Sequence, residues 1–519
     1  MARAAVPVLA AAGLFAAYLR MSLTVWVNSD GATNALQAWD MWHGNPLLSG
    51  WRLTDVTFAT IELPICALAE MAHGLNGLTV HLAAALIYTA VLFAACALAK
   101  AGTRGAQAAA RIGVTALILL APAPGTATGV LLLSPDHFGT SLALLIVLLL
   151  LDRRPAARPT PLWLAGGLAW AVVSDTTAVY LGVLPIAAVY AVRALRSRLR
   201  AAPARADALL ALAAVAGYAL GRLALWAISA AGGFTAARPA TAVTAPGTWP
   251  HALAEAGRAF LLLYGIDLNA PTHDWPLVLG WIVHAAGLLL LLAAVARCLV
   301  RMLRPARDGR DAPGPVDAVL LLAVLVNLAA FAFSTMVGTG VAAREISDTL
   351  PLGAALAGRC AGPLLTRASP HAARTCVSAL CALLAAGTLA TFGYGLSRPY
   401  SAPPSQAVAA WLASHGLRYG LADYWDASAV TAAAGNAVRV RPVEFDGPVA
   451  RPPVWNYRTD WYDPAAFDAE FILVDPFRAC DVNAAAAGLV YGRPAASYTV
   501  AGQEILVYRA NLLAAVKTG

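Results

Sequence analysis

Long apolar segments, separated by short polar stretches, occupy residues 1–395. Because a helix needs about 20 apolar residues to cross the hydrocarbon of a membrane, this pattern predicts about eleven spanning helices. The predicted spans are 4–26, 78–99, 112–133, 138–151, 161–174, 177–192, 206–232, 276–298, 317–338, 350–366 and 375–395. The fourth and fifth are short, so one re-entrant unit around Ser174 and Asp175 is an alternative that would change the count.

The basic residues of the connections indicate how the spans are oriented. Every second connection is basic, as the positive-inside rule expects of cytoplasmic loops. The basic connections contain Lys100, Arg104 and Arg111; Arg153, Arg154 and Arg158; Arg193, Arg196, Arg198, Arg200 and Arg205; Arg297, Arg301, Arg304, Arg307 and Arg310; and Arg367 and Arg374. The first apolar segment exceeds the roughly 7–15 residues of a signal-peptide core, so we expect a retained anchor with a cytoplasmic N-terminus.

Composition agrees with an integral protein of the plasma membrane. Hydrophobic residues make up 60% of the chain and charged residues 12%, whereas soluble domains carry roughly 25% charged residues. The net charge of +8 follows from the basic connections and requires no nucleic-acid partner. The seven cysteines show no metal-ligand spacing. Abundant Ala and Arg with little Lys are typical of a high-GC bacterium, and we expect an actinobacterium.

The first outer loop, 27–77, is long and amphipathic. Apolar residues recur with helical spacing over 31–43, and a second amphipathic stretch over 58–71 is predicted to break at Pro64. The tryptophans of this loop suit a helix that lies flat at the membrane–water interface. We therefore include Trp39 among the candidate substrate-binding residues.

The sequence changes character after residue 397. The predicted elements there are a helix over 405–412, strands over 418–425 and 470–474, a helix that Asp426 caps, and a hairpin over 497–509. The pattern predicts a transmembrane domain, 1–396, followed by a small extracytoplasmic α/β domain, 397–519. A loop rich in proline and aromatic residues, around Trp455 and Tyr457, suits stacking on sugars, contact with headgroups or packing in a core.

Asp30 directly follows the first span. A carboxylate at the mouth of a span is costly to hold near hydrocarbon and is more often functional than structural. Transfer of a group from a lipid phosphate to a hydroxyl needs a base for the acceptor's proton and a cation to stabilise the departing phosphate. The alternative is that Asp30 only caps the helix beginning at Gly31.

Asp136 and His137 form a second candidate site in a short outer turn. They are interpreted either as metal ligands or acceptor contacts, or as a turn with a helix-capping aspartate. Asp175 makes a similar turn.

Two arginines are further candidates for contact with substrate. Arg344 stands at the outer end of a span, against the positive-inside trend, and its guanidinium suits a lipid phosphate. The alternative for Arg344 is a surface pair with Glu345 or Asp348. Arg222 lies within a span and needs a partner, for which Glu62 or a lipid phosphate would serve. Glu62 is therefore also included among the candidate substrate-binding residues.

Together, the acid after the first span, the amphipathic first loop, the short acidic outer turns and the late-span arginine resemble the GT-C superfamily. These integral-membrane glycosyltransferases use polyprenyl-phosphate sugars, and the resemblance covers about residues 1–395. Asp30 matches the first-loop catalytic aspartate, Asp136 resembles the acid of the second outer loop, and Arg344 is similar in position to a phosphate-binding arginine.

The resemblance implies an inverting transfer at the outer face, with Asp30 as the base. The acceptor would be a hydroxyl of a cell-envelope glycan, glycolipid or protein. The adjacent acidic pair of several GT-C branches is missing because Gly31 follows Asp30. A divalent cation, Mg²⁺ or Mn²⁺, is therefore left open as a cofactor.

Two other functions fit the same layout. The protein could be a transporter or flippase of lipid-linked sugars, or a non-catalytic envelope assembly protein that binds a partner through its C-terminal part. Transporters hold their binding groups near the bilayer midplane, whereas the clearest acids here lie at the outer edge. That placement favours the glycosyltransferase.

Overall fold

The computed structural model of this protein describes residues 2–134, 137–154, 157–197, 202–237, 241–269, 274–303, 313–338, 340–366, 371–478 and 480–518. Its first part is helical. The helices are α1 (Ala2–Ser22), α2 (Ser29–Trp42), α3 (Glu62–His73), α4 (Gly77–Lys100), α5 (Gly105–Leu119), α6 (Thr126–Leu132), α7 (Phe138–Arg153), α8 (Thr160–Ser174), α9 (Leu184–Arg196), α10 (Ala202–Ala230), α11 (Trp249–Leu263), α12 (Trp275–Leu303), α13 (Pro315–Ala332), α14 (Thr349–Thr366) and α15 (His371–Ser397).

Six helical segments of the described residues are long and apolar enough to cross a membrane. They are Gly77–Lys100, Val179–Arg196, Pro203–Ala230, Trp275–Leu303, Pro315–Ala332 and Thr375–Ser397. Val6–Ser22, Gly105–Leu119 and Thr160–Ser174 are shorter apolar helices. A helical membrane protein is therefore confirmed, and the count of eleven spans stays a prediction.

Two local predictions, each in a segment that contains proline, were wrong. The predicted span 112–133 is interrupted: α5 ends at Leu119 and α6 begins at Thr126, because Pro122 and Pro124 lie between them and proline lacks the N–H that a helix interior needs. Conversely, Pro64 does not break its stretch. It lies in the first turn of α3, where the backbone N–H has no helical partner to lose.

Small residues let the helices approach closely. Gly358 and Gly362 lie one turn apart on α14, against α5. A Cβ atom on Gly362 would lie 3.0 Å from the backbone nitrogen of Arg111, and one on Gly358 would lie 2.3 Å from the Thr115 hydroxyl. Any larger side chain would push the two backbones apart, as expected where van der Waals packing holds membrane helices together.

The C-terminal part contains α16 (Pro404–Ser414), β3 (Tyr419–Ala422), α17 (Tyr424–Ala433), β4 (Arg439–Pro442), β5 (Glu444–Asp446), β6 (Val449–Arg451), β7 (Tyr457–Arg458), β8 (Phe471–Val474), α18 (Ala484–Tyr491), β9 (Ala496–Val500) and β10 (Gln503–Val507). Five strands form a sheet in the order β4-β3-β8-β10-β9. The first three strands are parallel, and the predicted hairpin is β9–β10. Asp423, rather than Asp426, caps α17.

A second sheet joins distant parts of the chain. Strand β1 (Trp51–Thr54), from the first loop, pairs in parallel with β2 (Thr235–Ala237) and antiparallel with β7. The ring of Trp51 packs on that of Trp461, with 5.0 Å between centroids. The C-terminal part therefore rests on the first loop.

This contact changes the interpretation of α2. The sequence predicts a helix lying flat on the membrane, but Ala32, Ala35 and Ala38 of α2 are fully buried, in a cluster that includes Ala429 and Ala432 of α17. Only the C-terminal end of α2 exposes a large aromatic side chain, Trp42. The apolar face of α2 is thus covered by protein.

Candidate active site

The residue that caps α2 is Asn28, whose side-chain oxygen accepts a hydrogen bond of 2.9 Å from the Gly31 backbone N–H. Asp30 lies in the first turn of the helix, and its carboxylate is directed elsewhere. The alternative in which Asp30 serves as the helix cap is therefore wrong. The carboxylate is free to take part in a tertiary site.

Asp30 contacts groups from two distant segments. Its Oδ2 accepts a hydrogen bond from a guanidinium nitrogen of Arg344, in the 3₁₀ turn Gly340–Ile346. Its Oδ1 accepts one of 2.5 Å from the Tyr424 hydroxyl, at the start of α17. The Asn456 amide nitrogen in turn donates to the Tyr424 oxygen at 2.9 Å. The Asp30 side chain stays 17% exposed, so a substrate can still reach it.

Arg344 also lines an apolar cavity of about 500 Å³. The other lining residues are Thr24, Val25, Trp26, Asn28, Gly125, Thr126, Gly129, Val130, Leu133, Ser134 and Ser401. They come mainly from the segment that follows α1 and from α6 with its flanking residues. The cavity therefore offers an apolar wall with one cation at its edge, and that cation is paired with Asp30.

A buried polar cluster adjoins this pair through Glu345. Arg344 donates to Glu345 at 3.3 Å, and Glu345 Oε2 lies 3.8 Å from His137 Nε2. His137 Nδ1 donates to Asp175 Oδ2 at 2.8 Å. Asp348 is also buried here and accepts from the Ser141 hydroxyl. This series of side-chain contacts thus connects two of the predicted sites, Arg344 and His137.

The charges of the cluster are set by burial and by one another. Burial opposes a charge on His137, but attraction to Asp175 and Glu345 outweighs it and raises the pKa of the imidazole well above its usual value. Burial likewise acts to raise the pKa of Asp175, but His137 outweighs it and lowers that pKa. Burial raises the pKa of Asp348 to about 7. The arrangement is a buried imidazolium–carboxylate pair beside a third carboxyl that is easily protonated.

His137, Asp175 and Asp348 could together hold a cation. Each offers one ligand atom, and these atoms lie within 4.8 Å of one another. One imidazole nitrogen with two carboxylates suits Zn²⁺ or Mn²⁺ better than Mg²⁺, which prefers oxygen ligands. Asp348 Oδ2 is buried without a hydrogen-bond partner among the described residues, which fits such a ligand. A cation would first have to displace the proton shared by His137 and Asp175.

Glu62 lies against this cluster and is fully buried. Its Oε2 accepts a hydrogen bond of 2.9 Å from Ser174, and its carboxyl group fits only because residue 139 is glycine. A Cβ there would lie 2.0 Å from Glu62 Oε1. Burial raises the pKa of Glu62 to about 8. The expected pairing of Glu62 with Arg222 was wrong, because Glu62 points into the interior of the protein.

We expect Glu62→Gln to stabilise the protein most at alkaline pH. Folded Glu62 holds a proton up to about pH 8, whereas the unfolded side chain loses it near pH 4.5. Folding therefore takes up a proton between these values, and stability falls as the pH rises through them. The variant should remove this loss, gaining up to about 4 kcal/mol at pH 8 and much less at pH 5. Thermal unfolding in detergent measures the difference.

The control for this comparison is Glu255→Gln. Glu255 of α11 is not fully buried and pairs with Arg258, whose side chain is 58% exposed, and such a pair contributes little. Equal gains for Glu62→Gln at pH 5 and pH 8 would contradict the raised pKa.

The remaining predicted residues lie apart from Asp30. Trp39 is at the other end of α2, where its ring packs on His43 with 3.8 Å between centroids. Arg222 is half-buried on α10, and no carboxylate of the described part of the chain forms an ion pair with it. Asp136 falls outside the described residues.

Sequence reasoning missed Tyr424 and Asn456. Tyr424 is 394 positions from Asp30 along the chain, and no local pattern links the two. Tyr424 follows the capping residue Asp423 at the end of a parallel strand. That position is a recognisable signal, because ligand-contacting groups gather at the carboxyl ends of parallel strands.

The fold is similar to that of ArnT from Cupriavidus metallidurans. The apo crystal structure matches with a TM-score of 0.55 and 13% sequence identity, covering 100% of both chains. The structure bound to undecaprenyl phosphate matches with a TM-score of 0.53 and 13% identity, covering 98% of this chain and 99% of that one. No protein-family model and no curated protein sequence matches. The predicted helical membrane architecture is therefore confirmed as a fold that this chain shares with ArnT.

Proposed function

We propose that this protein transfers a sugar from a polyprenyl-phosphate donor to a hydroxyl acceptor at the outer face of the membrane, with inversion and with Asp30 as the base. The observation that carries the proposal is the position of Arg344. It lines an apolar cavity and is paired with Asp30. A structural neighbour of this fold binds undecaprenyl phosphate, which supports a lipid-linked donor of this kind.

In the proposed reaction each of these groups has a role. The prenyl chain occupies the apolar cavity, and its phosphate meets the guanidinium of Arg344, which offers several donors. The acceptor oxygen forms a bond to the anomeric carbon and gives its proton to Asp30. The bond from that carbon to the phosphate oxygen breaks, and the departing polyprenyl phosphate keeps the electron pair. Arg344 stabilises that charge.

The proposed orientation places 397–519 outside the cell as a domain resting on the membrane domain 1–396. The second sheet joins β1, β2 and β7, so the first loop and the C-terminal part lie at one end of the helices. The C-terminal ends of α4 and α7 lie at the other end, where Arg359 donates to the Leu98 carbonyl and pairs with Asp152, and basic residues follow both helices in the sequence. The positive-inside rule then makes that end cytoplasmic.

The function is tested by incubating the purified protein with candidate polyprenyl-phosphate sugars and a cell-envelope extract as acceptor. A transferase releases polyprenyl phosphate as the acceptor gains sugar. A transporter or flippase moves the intact donor across a liposome membrane without releasing polyprenyl phosphate. An assembly protein does neither. Transbilayer movement of the donor without release would overturn the proposal.

We expect Tyr424→Phe to lower kcat by about tenfold and to leave the donor KM unchanged. The substitution removes the hydroxyl that donates to Asp30 Oδ1, and a hydrogen bond to a charged group contributes about 1.5–3 kcal/mol. Asp30 would then be held by Arg344 alone and would lose its fixed orientation. Initial rates of polyprenyl phosphate release measure both constants. Tyr498→Phe, at an exposed tyrosine of β9, is the control, and an equal effect in both variants would contradict the role of Tyr424.

A further inference from the structure

A second large cavity, of about 570 Å³, lies beside the sheet formed by β2, β1 and β7. Its walls come from the first loop, from β6 and β7, and from the C-terminal tail. Three of its lining side chains are cations, Arg52, Arg451 and Lys517, and one is aromatic, Tyr457. No described acidic residue lines it. The volume lies within the range of small-molecule sites.

The fold directs these side chains to one place. Trp51 and Leu53 of β1 are buried, so the alternation of a strand turns Arg52 to the opposite face. Arg52 pairs across the strands with Tyr457, and directly paired residues share a face. The backbone N–H of Lys517 donates to the Ala450 carbonyl at 2.9 Å, which fixes the tail against β6.

The charges of the cavity are largely uncompensated. Arg451 pairs with Asp446 at 2.8 Å, but both side chains are more than half exposed, so the pair is weak. No ion pair holds Arg52 or Lys517 among the described carboxylates. Arg52 is also the single arginine or lysine of the loop 27–77, which carries five acids. A cationic side chain that belongs to an otherwise acidic loop and faces a cavity indicates an anionic ligand.

This cavity is close to the candidate active site along the chain. Tyr457 follows Asn456, whose amide reaches the Tyr424 hydroxyl and, through it, Asp30. The loop 452–456 therefore runs from the cavity to the proposed base. A ligand held at Arg52 and Tyr457 would be anchored to the segment that contacts Asp30.

We propose that this basic cavity binds an acidic sugar of the acceptor, one that carries a phosphate or a carboxylate. The inference rests on the proposed function and adds the class of acceptor to it. The guanidinium groups of Arg52 and Arg451 bind the anionic group through paired donors, Lys517 adds a point charge, and the ring of Tyr457 packs on the apolar face of the sugar. The cavity thereby selects an acidic acceptor for the hydroxyl that Asp30 deprotonates.

The test measures binding of glucose 6-phosphate and of galacturonic acid to the full-length protein in phosphatidylcholine nanodiscs by calorimetry, with glucose and inorganic phosphate as comparators. We expect both acidic sugars to bind more tightly than either comparator. The variant Arg52→Gln/Lys517→Gln should weaken that binding by about tenfold or more. The control Arg493→Gln/Arg509→Gln removes the same charge from exposed positions of the C-terminal part and should leave binding unchanged.

Binding of the same variants to phosphatidylglycerol vesicles is measured in parallel. Four outcomes would overturn the inference: no binding of either acidic sugar, an equal loss in the control, inorganic phosphate binding as tightly as glucose 6-phosphate, or a variant that loses binding of the vesicles but not of the acidic sugars. Undecaprenyl phosphate binding is measured on the same samples. If the wild-type protein binds undecaprenyl phosphate but neither acidic sugar, the result contradicts only the proposed acceptor site. If it binds the acidic sugars but not undecaprenyl phosphate, the result contradicts only the proposed function.

Discussion

Replacing Asp30 by Asn is expected to lower the rate of sugar transfer by about 10²–10⁴-fold, the usual contribution of a positioned general base. Asparagine keeps the shape of the side chain and can still accept a hydrogen bond from Tyr424 or Arg344, but it cannot take up the acceptor's proton. Release of polyprenyl phosphate from a labelled donor measures the loss. Binding of undecaprenyl phosphate should persist, because Arg344 is retained.

The structure offers a matched control on the same helix. Asp40 of α2 also pairs with an arginine, Arg458, and its side chain is 21% exposed, against 17% for Asp30. Asp40→Asn therefore removes the same charge and a similar ion pair about three turns away. We expect it to retain transfer. Full activity in Asp30→Asn, or an equal loss in both variants, would remove Asp30 from the role of base.

The membrane part was accessible to sequence reasoning because its signals are local. A run of apolar residues identifies a helix such as α4 or α12, and the position of α2 follows from helical spacing. The break between α5 and α6 was missed because Ala121–Pro124 is itself apolar and does not interrupt a hydropathy pattern. The sheet of β1, β2 and β7 was missed because its strands come from three distant segments.

The candidate site was accessible only in part. Asp30 and Arg344 stand out singly, since each is a charge at the edge of an apolar segment. Their mutual ion pair is a tertiary contact over 314 positions, and no local pattern predicts it. Glu62 illustrates the opposite error: its charge suggested Arg222 as a partner, but the glycine at 139 lets Glu62 enter the interior, where burial favours the protonated form.

Arg344→Gln is expected to weaken binding of undecaprenyl phosphate by about 10–100-fold, because a charge-assisted hydrogen bond to phosphate contributes about 1.5–3 kcal/mol. Binding of undecaprenol, which lacks the phosphate, should not change. Arg458→Gln is the matched control, since Arg458 also pairs with an α2 aspartate, Asp40. Titration of the lipid against protein in nanodiscs measures both affinities. Equal affinity of wild type and Arg344→Gln would take Arg344 out of the donor site.

The effect of Arg344→Gln has two physical sources, and a double-mutant cycle separates them. The variant loses donors to the phosphate, and it also leaves the Asp30 carboxylate without its cation, so that Asp30 repels the lipid headgroup. In the double variant Asp30→Asn/Arg344→Gln the repulsion is gone while the donors are still missing. If the donors dominate, the double variant binds as weakly as Arg344→Gln. If the double variant regains wild-type affinity, Arg344 acts on the donor by neutralising Asp30, and direct contact with the phosphate is excluded.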